Sequence, residues 1–96
     1  MDPAISDIGL ADVVVSTAGR DQGHMYYVIG CDQIFLKLAN GKDRTLDRPK
    51  LKKRKHTQMV LRSETRVAEK IRQGDKVLNG ELRRDLAFLA RENASE

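Results

Sequence analysis

Asp12-Val-Val-Val-Ser-Thr-Ala-Gly-Arg-Asp-Gln-Gly-His-Met-Tyr-Tyr-Val-Ile-Gly30 is the stretch on which the reading of this chain turns. Two runs of β-branched and aromatic residues flank a polar loop in which Gly19 and Gly23 bracket Arg20-Asp21-Gln22. Such side chains fit a pleated surface, and glycine accepts the positive φ of a tight turn. The stretch therefore predicts a strand, a loop and a returning strand. Its Gly-x-x-x-Gly spacing is neither a P-loop nor a dinucleotide fingerprint, since both need a different spacing and a following helix.

Working outward, residues 1–9 carry Pro3 and Gly9 and predict a loose or short edge segment. Downstream, Ile34, Leu36 and Leu38 alternate with Gln33, Phe35 and Lys37, which predicts a third strand. Asn40-Gly41 follows. Asn-Gly between strand-like runs is a strong hairpin signal, because both residues accept positive φ, so Lys42 to Leu46 is expected to be the return strand. Thr57 to Leu61 supplies a last short strand. Five short strands with tight turns predict a small barrel or sandwich.

The period changes near residue 63. Ser63 stands where an N-cap would, Val67, Ala68 and Ile71 follow at helical spacing, and Gly74 ends the run. A second helix is expected from about Asn79, whose side chain is a candidate cap. Its Leu82, Leu86, Leu89 and Ala90 make an apolar stripe. Phe88 lies off that stripe, either packed on the first helix or exposed as an anchor. The expected division is a β unit, 1–62, and a two-helix appendage, 63–96.

Charge is unevenly spread. The 96 residues carry a net +4, yet residues 42–56 alone hold eight Lys or Arg against Asp43 and Asp47. Within that segment Arg48-Pro-Lys-Leu-Lys-Lys-Arg-Lys-His56 places six cations in nine positions. Like charges this dense repel one another unless an anion offsets them, and Pro49 biases Arg48 toward extended backbone. An extended cationic strip suits a run of phosphates; the plainer alternative is a solvated loop. Tyr26, Tyr27 and Phe35 are candidate stacking platforms, although adjacent residues of a strand face opposite sides, so one tyrosine is expected in the core.

Other chemistries find little support. No Ser-His-Asp or Cys-His set is present, and the acids are scattered singly, so no enzyme is expected. His24 and His56 have no companions at metal-ligand spacing, and no cofactor or small-molecule substrate is implied. The single cysteine, Cys31, forms no internal disulfide, and no signal peptide is evident, which reads as cytoplasmic. No apolar run approaches the ~20 residues that span a bilayer, and the basic strip lacks an apolar face for lying on one.

Residues 13–23, Val-Val-Val-Ser-Thr-Ala-Gly-Arg-Asp-Gln-Gly, followed by Tyr-Tyr-Val-Ile-Gly, resemble the KOW motif. The resemblance runs on through Asn-Gly-Lys at 40–42, Arg-Pro-Lys at 48–50, Lys-His at 55–56 and Asn-Gly-Glu-Leu-Arg at 79–83. It is closest to bacterial KOW-domain RNA-binding proteins akin to large-subunit ribosomal proteins of the fourteen-e, six-e and twenty-seven-e type. Many of these have glycine where this chain has Ala11. The resemblance implies a mainly β fold, an SH3-like five-stranded barrel of the KOW type, here with the two C-terminal helices. It implies contact with RNA through the first loop and the basic edge. Ser16, Gly19, Asp21 and Gly23 match the motif loop.

The resulting expectation is non-catalytic binding of RNA, foremost ribosomal RNA or the ribosome. Arg44, Arg48, Lys50, Lys52, Lys53, Arg54 and Lys55 would neutralise phosphates, and Arg20, His24 and His56 would add orientation. The alternative is a protein-interaction module whose basic strip docks on RNA polymerase or ribosomal proteins.

Overall fold

The structure is a computed structural model that describes residues 7–94. Most of the segment 1–9 lies outside the described residues. Five strands form one antiparallel sheet: β1 (Asp12–Ser16), β2 (Met25–Cys31), β3 (Phe35–Ala39), β4 (Lys50–Lys53) and β5 (Thr57–Arg62). Their spatial order is β4-β3-β2-β1-β5. Two helices follow, α1 (Arg66–Gln73) and α2 (Asn79–Ala94).

The return strand differs from expectation. Asn40-Gly41 makes no two-residue hairpin, because the Asn40 side chain organises a wider loop. Its Oδ1 accepts the N–H groups of Lys42 and Arg44 at 2.9 and 3.0 Å, and the Arg44 carbonyl accepts the N–H groups of Asn40 and Gly41. Local bonding of this kind competes with a ladder. Residues 42–46 therefore stay in a loop, and the chain returns as β4, inside the basic segment.

The connection from β4 to β5 dictates the shape of the sheet. These strands lie at opposite edges, yet a single 3-10 turn, Arg54–His56, joins them. Flat strands would separate the edges by about 19 Å, from roughly 4.8 Å per strand. A three-residue 3-10 turn rises only about 6 Å. The sheet must therefore coil until its edges approach. Bulges between Val13 and Val14 on the β5 side, and between Val28 and Gly30 on the β3 side, add local twist. Among the described residues no ladder joins β4 to β5, so the coiled sheet is open.

Each face of the sheet carries a buried cluster. The inner face gathers Ile8, Val14, Tyr26, Val28, Leu36 and Leu38, with Met59 against them. The outer face presents Ala11, Val13, Tyr27 and Ala39 to Ala68 and Ile71 of α1 and to Leu82, Leu86 and Leu89 of α2. Double burial is why residues 13–15 read as a continuous valine run rather than an alternation. Residue 62/63 thus marks a change of period but not a division of the core: the helices close one face of the sheet.

Helix α1 is capped by Thr65, not Ser63. Thr65 Oγ1 accepts the Ala68 N–H at 3.2 Å. At the other end Gly74 adopts φ 76°, with Gly74 N–H donating to the Ile71 carbonyl and Asp75 N–H to the Lys70 carbonyl. This is a Schellman ending. Helix α2 begins at Asn79, but Asn79 does not cap it. Instead Glu81 Oε1 reaches back to the Leu78 N–H at 3.0 Å, and Asn79 Oδ1 accepts the Leu46 N–H at 2.8 Å. Asn79 thereby ties the β3–β4 loop to the start of α2. The Ser63 side chain is buried and serves Tyr27, described below.

Candidate nucleic-acid interface

The β1–β2 loop is tightly determined. Gly23 N–H donates to the Ser16 carbonyl at 2.8 Å and Ser16 N–H to the His24 carbonyl at 3.0 Å, closing its base. Gln22 N–H to the Gly19 carbonyl and His24 N–H to the Asp21 carbonyl make two successive turns, with φ 86° at Gly19 and 92° at Gly23. The loop carries Arg20, Gln22 and His24 exposed and turns Asp21 inward.

Asp21 is the hub. Its carboxylate accepts Ser16 Oγ at 2.9 Å, Tyr26 Oη at 2.9 Å and Lys52 Nζ at 2.8 Å, and pairs with Lys50 Nζ at 3.2 Å. Lys52 Nζ also donates to the Ala18 carbonyl at 2.8 Å. The coil of the sheet makes this possible, because it folds the β1–β2 loop over onto β4. Burial alone drives the Asp21 carboxyl up, but the bonds from Lys52, Tyr26, Ser16 and Lys50 outweigh it and hold the group far below the usual carboxylate range. Burial first, and then Asp21, raise the Tyr26 phenol well above its ordinary value.

This arrangement sorts the expected phosphate contacts. Lys52 is only 9% exposed and is committed to Asp21, so it holds the loop and is not an open cation. Lys50 is partly committed to the same carboxylate. Arg54 lies across backbone carbonyls, its guanidinium donating to Asp32 at 2.8 Å and to Ile8 at 2.6 Å. It staples the β2–β3 turn to the 3-10 turn. Arg20, Lys53 and Lys55 are exposed, with no side-chain hydrogen bond or ion pair among the described residues. Arg48 is exposed and Arg44 half-buried in the β3–β4 loop, and His56 is half-buried in the 3-10 turn, where its carbonyl accepts the Thr17 N–H. His24 lies 6.5 Å from the Tyr26 ring, centroid to centroid. The open cations thus flank both ends of β4, with the β1–β2 loop lying across its middle.

Neither tyrosine is a stacking platform: Tyr26 is 1% and Tyr27 0% exposed. Tyr27 Oη sits in a second polar hub on the opposite face, bonded to Ser63 Oγ at 2.8 Å, to Thr65 Oγ1 and to a carboxylate oxygen of Asp85. Burial first, and then Asp85, push the Tyr27 phenol up to about 12. Adjacent residues thus pin the sheet on two sides, Tyr26 to the loop and Tyr27 to the helices. Phe35 does remain half-buried at the surface.

Sequence reasoning missed two positioning roles and one exposed cation. Tyr26 locks the motif loop, Asn79 anchors the β3–β4 loop, and Lys37 stands exposed opposite Leu51 of β4. Only Lys37 left a sequence signal, its place on the alternation of residues 33–38.

Among the described residues no three His, Cys, Asp or Glu side chains converge as a metal site, and no helix is long and apolar enough to cross a membrane. A scan against models of known protein families finds none that matches the chain. A search of curated proteins likewise finds no significantly similar sequence.

Proposed function

We propose that this chain is a non-catalytic, cytoplasmic RNA-binding protein, that its coiled sheet is an SH3-like barrel of the KOW type, and that its target is ribosomal RNA. The observation that carries this reading is the Asp21–Lys52 lock, which fixes the Arg20 loop against β4 while exposed cations flank both ends of that strand. A rigid loop beside a cationic row gives two kinds of contact to one folded RNA. The cations supply salt-sensitive affinity, and the loop supplies register. Arg20 is the specificity residue of this scheme, because a guanidinium can fork onto phosphate and also stack on a base.

The test is binding of ribosomal RNA fragments across a salt series. With about four open cations engaged, log K against log salt should fall with a slope of roughly −3 to −4. Replacing Arg48, Lys53 and Lys55 by alanine should weaken all RNAs together, whereas Arg20→Ala should reduce preference for the target over bulk RNA. Lys52 is left intact in this design, since its loss would disturb the loop itself.

The protein-interaction reading has one observation in its favour. Phe88 is 46% exposed on α2, beside Val67 and Arg84, on the side of the molecule covered by the helices. Docking on polymerase or a ribosomal protein through that face predicts a complex that survives nuclease. An RNA-dependent complex dissolves.

A further inference from the structure

Beyond the helices, the outer face of the sheet continues as bare surface. On β3, Phe35 and Lys37 point to it; on β4, Leu51 and Lys53 do. They form cross-strand pairs, Phe35 with Lys53 and Lys37 with Leu51. Together with Gly30, Cys31 and Asp32 of β2 and its turn, Phe35, Lys37 and Leu51 line a groove of about 210 Å³. Leu51 is 60% exposed and Phe35 half-buried, so the floor is an aromatic ring and an isobutyl group. Lys37 lines the groove and Lys53 stands across the ladder from Phe35, both exposed and without a side-chain partner among the described residues. At Gly30 a Cβ would stand 3.3 Å from Lys37, so the missing side chain leaves that lysine room to lie along the groove.

The floor is preorganised. Asp32 Oδ1 accepts the N–H groups of Ile34 and Phe35 at 2.8 and 2.7 Å, which fixes the turn that presents the Phe35 ring. The same bonds occupy the one carboxylate of the groove. Arg54 clamps this turn from the other side, its N–H donating to the Ile34 carbonyl and its Nε to the Asp32 carbonyl. Little ordering remains for a ligand to impose, which favours affinity.

We propose that this groove binds an unpaired nucleobase of single-stranded RNA, stacked on Phe35 and Leu51, with Lys37 and Lys53 on its flanking phosphates. An apolar ring edged by two unpaired cations matches a flat base with an anion on each side. It does not match a duplex, whose bases are already stacked. The inference rests on the RNA-binding reading above and adds a second, base-dependent contact on a different face from the β1–β2 loop.

The experiment uses the full chain and two probes of about eight nucleotides, oligouridine and an abasic sugar-phosphate oligomer of equal charge. The expected result is a preference for oligouridine of roughly tenfold. Phe35→Ala and the apolar but non-aromatic Phe35→Leu should both abolish the preference, while Phe35→Tyr retains it. Lys37→Gln with Lys53→Gln should weaken both probes alike. Because the chain has no tryptophan, Phe35→Trp supplies a sole indole, which oligouridine should quench and the abasic oligomer should not. Equal binding of the two probes, or displacement of oligouridine by a polyglutamate peptide, overturns the proposal. Folded ribosomal RNA that still binds at the expected salt slope in that case leaves the phosphate reading standing. Loss of binding to every RNA removes both.

Discussion

Asp21→Asn is the sharpest test of how the motif loop is held. The substitution keeps the size of the side chain and one acceptor oxygen but removes the charge. Lys52, 9% exposed, is then a buried ammonium facing a neutral amide and the Ala18 carbonyl. Breaking one partner of a buried pair costs about 3–5 kcal/mol. Lys50 is 24% exposed and contributes less than about 1 kcal/mol, as pairs open to solvent do. The pair lies under a surface loop, so the low end applies, about 3 kcal/mol. Replacing a whole buried pair by apolar groups is often close to neutral. Asp21→Asn with Lys52→Met should therefore recover to within about 1 kcal/mol of the parent, a coupling of about 2 kcal/mol or more. Urea unfolding followed by far-ultraviolet circular dichroism measures all four corners of the cycle. A single mutant costing less than about 1 kcal/mol, or a double mutant as weak as the single, would refute the hub. The same hub sets the acid response. The folded Asp21 pKa lies below its ordinary 3.8, so its contribution is present above about pH 4 and is lost as the pH falls from there through the folded value.

The chain's two tyrosines are its only phenols, and both have raised pKa values, so their stabilisation is complete below pH 10 and lost as the pH climbs toward 12 and beyond. Near-ultraviolet titration should show no tyrosinate at pH 10, then ionisation together with unfolding; a normal phenol titration in the folded protein contradicts both hubs. Gly41→Ala should cost about 3 kcal/mol or more, because φ is 77° and the new Cβ would stand 2.2 Å from the Asn79 carbonyl oxygen. Gly23→Ala, at φ 92° with nothing within 4 Å, should cost only the backbone strain of about 1–2 kcal/mol, so thermal denaturation of the two variants should separate them clearly. A fragment ending at Arg62 should fail to fold by circular dichroism, since it strips Leu82, Leu86 and Leu89 from Val13, Tyr27 and Ala39. In the full chain, Leu82→Ala should cost about 2–5 kcal/mol.

Local signals in the chain were readable and distant ones were not. The strand–loop–strand of residues 12–30, the glycines at positive φ, the Gly74 stop and the stripe of α2 all depend on neighbours within a turn or a strand. The return strand lies further along than Asn40-Gly41 signals, because Asn40 uses its side chain on its own loop. A period-two reading of residues 50–53 would bury Leu51 and expose Lys52, and the structure does the opposite. Lys52 faces inward because Asp21, thirty-one positions earlier, waits there once the sheet has coiled. The partners of Tyr27 are equally remote, with Asp85 fifty-eight positions away. Periodicity carries no information about such pairings. Ala11 is a further case. It takes φ 66°, left-handed backbone that ordinarily favours glycine, and its buried methyl packs in the cluster shared with the helices.

Strand β4 is also the rim of an open sheet, and a bare rim is a template on which a second chain adds itself. Lysine is one of the residues that blunts such templates, by repulsion and by the hydration its ammonium keeps. Of the three lysines of β4, Lys52 is turned inward onto Asp21 and Lys50 pairs with the same carboxylate, which leaves Lys53, with Lys55 just beyond the strand, as the open charges on this rim. That open part of the strip therefore guards the molecule against its own copies. Neutralising it exposes a sticky edge in the same stroke, so a charge-stripped variant that loses its ligand should be checked for self-association before the loss is credited to the missing contacts. Were the proposed RNA bound there, it would shield the same edge physically while cancelling its charge, and a strip discharged but uncovered would be the state in which the protein is most prone to clump.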